Sequence, residues 1–219
     1  MLIKARKFFV VLFLAVALAT SAQTTMRELW LSMPDSLLPT LNQNLRTEHV
    51  DFMDMNVPSE VKNLLGGEGR MDTLTARFTS VRVNESHTLQ MQLLDCLDST
   101  QIVMKVDTYL APEPESTIRF FTTDWHPINN RFGIPDFLDA HEALDCFFEN
   151  IDTLSQTEIA ELKKLIDPVL VSISLQPEQE NVILQLSMPF LLKDEKQRLQ
   201  AVLKQMKLKW NGIMFKECE

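Results

Sequence analysis

The chain has 219 residues, of which 45% are hydrophobic, and its formal net charge is -9. This length is enough for one domain or for two small lobes with a buried core. An acidic surface repels the phosphates of nucleic acids and of anionic lipids, so we expect neither as a partner.

The N-terminus has the pattern of a secretory signal peptide. A basic segment containing Lys4 and Lys7 precedes an apolar run over 8–19, and small residues then lead to Gln23. The apolar run is shorter than the about 20 residues that a membrane-spanning helix needs. We therefore expect residues 1–22 to be removed on export, and no membrane-spanning segment after cleavage. An uncleaved N-terminal anchor is the alternative.

Three short helices are predicted next, because apolar residues recur at helical spacing. The first covers 26–33. The second begins at Asp35 or Ser36 and restarts near Asn44. The third covers 58–65 and would end at the glycine pair that follows it.

From Asp72 the apolar period changes from 3.6 to 2, which predicts strands. Four strands are expected, with a bulge in the first near 79–80. They cover 72–83, 89–93, 102–110 and 117–125. Short turns between consecutive strands favour an antiparallel meander.

The second half mixes helices and strands less regularly. A helix is expected over 135–148, and Ser155 with Glu158 forms a capping box that opens another. Alternation then predicts two strands within 169–186, and Asp194 caps a last helix. Asn211 and Gly212 predict either a tight hairpin or a single bulged strand.

This order predicts an α+β fold, in which an antiparallel meander with N-terminal helices is joined by a second, smaller α+β half. We expect a signal peptide over 1–22, the helices and meander over 23–128, and the second half over 129–219, packed on the first. The best candidate for a linker is 126–134.

The three cysteines are widely spaced, at Cys96, Cys146 and Cys218, and no CxxC motif occurs. In an oxidising compartment one pair could form a disulfide, and the sequence leaves this open. For Cys96 and Cys146 we favour small buried apolar residues.

His141, Glu142 and Asp145 resemble a zinc-protease helix in which Asp replaces the second His. A packing helix rich in Phe explains the segment equally well. Asp51 and Asp54 could share a cation, although a solvated helix face also accounts for them. No motif predicts an organic cofactor.

Asp124, Trp125 and His126 end the last strand of the meander. Strand ends near loops often carry function, and a Trp beside an acid could stack on a sugar. The alternative is that Trp125 covers the core at the sheet edge.

Four triplets share Asp, then Ser or Thr, then an apolar residue or Thr, a form similar to the sites at which Bacteroidetes attach O-glycans to exported proteins. Turn and cap chemistry favours the same dipeptides. The candidate modified residues are Ser36, Thr73, Ser99 and Thr153.

Three segments together carry a resemblance to a known family. They are 33–39, 44–54 and 118–125. The chain resembles an exported Bacteroidetes family known as domain of unknown function DUF3256. The resemblance implies the envelope of a Gram-negative bacterium, either its periplasm or its surface, and transfers no catalytic residue.

We therefore expect a non-enzymatic envelope domain that binds a protein or a glycan. The exposed faces of the meander would be the contact surface, with Trp125 as an anchor. A small periplasmic hydrolase or metal-dependent enzyme is the alternative, and an adaptor in glycan or lipoprotein handling is a third.

Overall fold

Two antiparallel sheets organise the computed structural model, which describes residues 23–110, 112–135, 144–152, 154–188 and 191–218. The first sheet has seven strands in chain order, β1 (Ser59–Lys62), β2 (Glu68–Leu74), β3 (Phe78–Asn84), β4 (His87–Asp95), β5 (Gln101–Tyr109), β6 (Glu115–Thr122) and β7 (Pro127–Ile128). The second sheet has four strands in the order β11-β10-β9-β8, with β8 (Leu170–Gln176), β9 (Asn181–Ser187), β10 (Met206–Trp210) and β11 (Phe215–Glu217).

Four α-helices lie within the described residues, namely α1 (Met26–Ser32), α2 (Gln43–Asp54), α3 (Gln156–Lys164) and α4 (Lys193–Gln200). Short 3₁₀-helices occur at Asp35–Leu37 and at Leu144–Phe147. The α+β fold with an antiparallel meander and N-terminal helices is thus confirmed. No helix of the described ranges is long and apolar enough to cross a membrane.

The first sheet is covered on two sides because its strands alternate apolar residues between the faces. Leu89, Met91 and Leu93 of β4 face a cluster that contains Trp30 of α1. On the opposite face a second cluster combines residues of both sheets, among them Met104, Val106, Phe120, Val171, Leu184 and Trp210. Strand β5 is consequently buried from Ile102 to Thr108. Little of the meander's faces remains for contact, against the expectation above.

Hydrogen bonds join the two halves across this second cluster. The backbone N–H groups of Ile173 and Leu175 in β8 donate to the Ser116 Oγ and Gln90 Oε1 of the first sheet, at 2.8 and 3.1 Å. The Trp210 Nε1 donates to the Asp95 carbonyl at 2.6 Å. The outward N–H groups of β8, an edge strand of the second sheet, are thus hydrogen-bonded to side chains of the first sheet.

The predicted helix over 58–65 is wrong, because this segment forms β1 and the turn into β2. Ser59 and Val61 are buried in alternation with exposed residues, and Leu64 and Leu65 are exposed in the turn. Gly66 has a φ of +80°, which a turn can use and which glycine adopts without strain.

Two further boundaries differ from the prediction. The segment 72–83 contains two strands, because a turn closed by the Thr75 N–H and the Phe78 carbonyl separates β2 from β3. The helix predicted from Asp35 is only the 3₁₀-helix Asp35–Leu37, and Asn42 caps α2 instead.

Several local predictions in the second half are confirmed. Ser155 and Glu158 form the capping box of α3. Of the two alternatives for Asn211 and Gly212, the hairpin is the one that forms, between β10 and β11. Most of the helix predicted over 135–148 lies outside the described residues.

Candidate functional site

A cleft of about 480 Å³ lies where the chain leaves β7 and separates from β6. One wall comes from the loop between α1 and α2, and the other walls come from β6 and the chain around β7. The lining residues are Pro34, Ser36, Leu37, Ile118, Arg119, Phe120, Phe121, Trp125, Pro127, Ile128, Asn129, Asn130 and Arg131.

The outer edge of β6 is only partly covered by β7. Strand β7 pairs with Phe120 and Phe121 alone, and the Thr122 N–H donates to the His126 carbonyl at 2.9 Å. Backbone groups of a strand point to alternate sides, so the N–H and C=O of Ile118 point the same way as those of Thr122. Within the described residues these two groups of Ile118 have no strand beside them.

Two guanidinium groups line the cleft. Half of the Arg119 side chain is exposed, and its guanidinium lies over the Phe121 ring at 5.9 Å. Arg131 is half-buried and donates to the backbone carbonyls of Ile134 and Pro135, at 3.3 and 2.7 Å. The remaining polar lining consists of a hydroxyl and two amides, which can orient a ligand by hydrogen bonds.

Arg119 also belongs to a buried charge cluster on the same sheet. The Asp107 carboxylate accepts from the Lys105 Nζ at 2.5 Å, from the His87 Nε2 at 3.1 Å and from the Arg119 Nη2 at 3.3 Å. Burial opposes ionisation of Asp107, but the hydrogen bond from His87 and the charge of Lys105 outweigh it and hold the pKa of Asp107 at about 2. Lys105 and Arg119 are thus two cationic side chains on one carboxylate, so the cluster carries net positive charge, and Arg119 is its half-exposed member.

Trp125 forms part of both the core and the cleft. It is 8% exposed, its ring lies 5.6 Å from that of Phe121, and its Nε1 donates to the Ser32 Oγ at 3.2 Å. Its φ of +64° is uncommon outside glycine and turns the chain sharply toward β7. Asp124 and His126 are exposed on either side, outside the lining of the cleft.

The loop that forms the first wall is fastened by Arg46 of α2, whose side chain is 1% exposed. Its guanidinium donates to the carbonyls of Trp30, at 3.0 Å, of Leu41, at 2.7 Å, and of Met33, and to the Asp35 carboxylate, at 2.9 Å. The carbonyls of Trp30 and Met33, near the end of α1, thus accept hydrogen bonds from one side chain. Arg46 therefore positions the wall without touching the cleft.

The metal candidates are not assembled by the part of the chain that the structure describes, where no group of three His, Cys, Asp or Glu could hold an ion. Asp145 is exposed and pairs with Lys163, whereas His141 and Glu142 lie outside the described residues. Asp54 accepts a bidentate pair from Arg27, at 2.7 and 2.5 Å.

The three cysteines are free. Cys96 is half-buried against the core, and burial raises the pKa of its thiol. Cys146 is exposed, so its predicted role as a buried apolar residue is wrong.

The candidate glycosylation residues differ in accessibility. Ser36 and Ser99 are exposed, and Ser36 lies on the wall of the cleft. Thr73 is half-buried within β2, and Thr153 lies outside the described residues.

Sequence reasoning found Trp125 but missed Arg119, Lys105 and Asp107. A usable signal was present, because Lys105 and Asp107 interrupt an otherwise apolar strand from Ile102 onward. Charges in such a strand are stable only as partners of one another.

The comparisons with known proteins identify the family but no activity. A structure of a domain of an uncharacterized protein from Porphyromonas gingivalis W83 is similar, with a TM-score of 0.71 and 21% identity over 88% of this chain and 97% of that chain. At this identity the likeness shows the fold alone. No curated protein matches. The profile of a family described as protein of unknown function, DUF3256, matches residues 17–215, and the chain therefore belongs to that family.

Proposed function

We propose that the protein is an exported, non-enzymatic binding domain of the bacterial cell envelope, and that the cleft beside β6 holds a segment of a partner protein. The carrying observation is the composition of the cleft, where the side chains of Phe121 and Trp125 lie beside the half-exposed Arg119. Aromatic and arginine side chains dominate the energetics of protein interfaces.

Export is supported by the basic and apolar N-terminal segments before Gln23. A location in the periplasm or on the surface of a Gram-negative bacterium of the Bacteroidetes rests on the resemblance to exported proteins. The test is the N-terminal sequence and intact mass of the protein isolated from the envelope fraction. A chain that begins at Gln23 supports export with cleavage, and a chain that retains 1–22 contradicts cleavage.

Binding is tested by photocrosslinking in cells. A photoreactive residue is placed at Asn130, an exposed position on the wall of the cleft, and in a matched variant at Lys209, an exposed position on β10. We expect one recurrent envelope protein to be crosslinked from position 130 and not from position 209. Arg119→Ala in the first variant should remove that product.

Equal labelling from both positions, or none from position 130, would contradict the proposal. A glycan crosslinked from position 130 in place of a protein would assign the cleft to a saccharide ligand instead. Replacement of Trp125 is a poor test of binding by itself, because this side chain also fills the core. Trp125→Phe, which changes the core less, is therefore the replacement to use in the binding test, and the stability of this variant is measured as well.

A further inference from the structure

The edges of the two sheets are protected unequally. At one end of the first sheet, β1 packs on α2, where the Ser59 Oγ donates to the His49 carbonyl at 3.0 Å. At the edge of the second sheet, N–H groups of β8 are bonded to Ser116 and Gln90. The edge of β6 at Ile118 has neither kind of cover among the described residues, because β7 stops after two residues.

The chain beyond β7 leaves a slot rather than closing this edge. If the antiparallel register of β6 and β7 continued for two more residues, Asn130 would pair with Ile118. Instead, Asn129, Asn130 and Arg131 form the far wall of the cleft. Neighbouring strands lie about 4.8 Å apart, and a strand that entered the slot would find the N–H and C=O of Ile118 pointing toward it.

The charge of the slot selects the sign of the ligand. The half-exposed Arg119 lines it, and no carboxylate is among its lining residues, although the whole chain has a net charge of -9. Guanidinium groups bind carboxylates with paired, charge-assisted hydrogen bonds. Arg119 and Ile118 are successive residues of β6, so their side chains lie on opposite faces. A strand of alternating acidic and apolar residues in the slot would place the acidic side chains on the face of Arg119 and the apolar ones on the face of Ile118.

From this geometry we infer that the ligand is an extended acidic peptide segment that adds to the edge of β6 as a further strand. This inference rests on the proposed function and specifies its ligand. Backbone hydrogen bonds to Ile118 would supply affinity, and Arg119 would supply the preference for acidic residues.

The test uses a fluorescein-labelled hexapeptide of alternating Glu and Val, with Lys–Val and Val-N-methylated versions as controls, and fluorescence anisotropy of the mature protein. We expect the Glu–Val peptide to bind, and Lys replacement or N-methylation to weaken binding about tenfold or more. Arg119→Gln should weaken binding to a similar extent. Arg82→Gln is the matched control, because Arg82 is an exposed arginine on β3 outside the cleft and its removal should change nothing.

Hydrogen exchange supplies a second measurement that does not depend on charge. The Ile118 amide should exchange more slowly when the Glu–Val peptide is bound. Unchanged exchange, or equal binding of the N-methylated peptide, would overturn strand addition, and equal loss in Arg82→Gln and Arg119→Gln would overturn the assignment to this cleft. If the peptide does not bind while crosslinking from position 130 still yields an envelope protein, the strand-addition inference fails and the proposed function stands. If both fail, both are wrong.

Discussion

His49 should make the stability of the protein depend on pH between about 7.5 and 5.5, above the range in which most carboxylates titrate. Its side chain is fully buried, with Nδ1 2.8 Å from the Ser59 Oγ. Because the Ser59 hydroxyl donates to the His49 carbonyl, Nδ1 must donate to Ser59, and Nε2 is left without a partner in the described structure. Burial lowers the pKa of His49 from 6.5 to about 4, so the imidazole is neutral when folded at pH 7.

The direction of this pH dependence follows from the protons that His49 binds in the folded and in the unfolded state. Between pH 6.5 and 4 the unfolded chain binds a proton at His49 and the folded chain does not, so the free energy of unfolding falls as the pH falls. The stabilisation that His49 contributes is fully present above its pKa in the unfolded chain. About 3 kcal/mol of the free energy of unfolding is lost once the pH is below its pKa in the folded chain. About 1.4 kcal/mol of this should be lost between roughly pH 7.5 and 5.5.

The assay is urea unfolding of the mature protein at about pH 7.5, 6.5 and 5.5, beside the variant His49→Gln. The variant has no imidazole at this position, and its amide can still reach Ser59. Every other titratable group is common to both proteins and cancels in the comparison. If wild type and His49→Gln lose the same stability over this range, the assignment of the pH dependence to His49 is refuted.

Four further predictions concern single side chains, each checked by urea or thermal unfolding beside wild type. Asp107→Asn leaves Lys105 buried without a counter-charge and should cost about 3–5 kcal/mol, and a loss below about 1 kcal/mol would contradict the ion pair. Arg46→Lys keeps the charge but loses the fork of donors, so we expect a loss of about 2 kcal/mol. Gly133→Ala should lower stability by more than about 1 kcal/mol, because a Cβ there would lie 2.6 Å from the Phe215 carbonyl oxygen at a φ of +86°. Ser155→Ala removes the cap of α3 and should cost about 1 kcal/mol, and an unchanged midpoint would count against that cap.

The elements that sequence reasoning predicted well are those whose local signals agree with their packing. The capping box at Ser155 and the hairpin at Asn211 both depend on neighbours a few residues away. Strand β1 was missed because Val61, Leu64 and Leu65 have helical spacing, although two of them are exposed turn residues. The spacing was real, but tertiary pairing with β2 decided the structure.

The candidate site could be predicted only in part. Trp125 stands out in the sequence because it follows a strand and precedes a turn. The slot beside Ile118 depends on where β7 stops and on where the chain of 129–131 then goes. The link between Arg46 and the wall at Asp35 is likewise a contact made by folding. No local pattern encodes such distances, since they are set by the packing of separate segments.

The open edge of β6 has a consequence for the protein in concentrated solution. Two copies meeting antiparallel across their Ile118 residues could join their sheets, as unprotected edges do in aggregation. Such pairing would bring both Arg119 guanidinium groups onto the same face of the joined sheet, where like charges repel. The side chain that favours an acidic segment would therefore also discourage self-association, and it would do so less well as rising salt screens the repulsion.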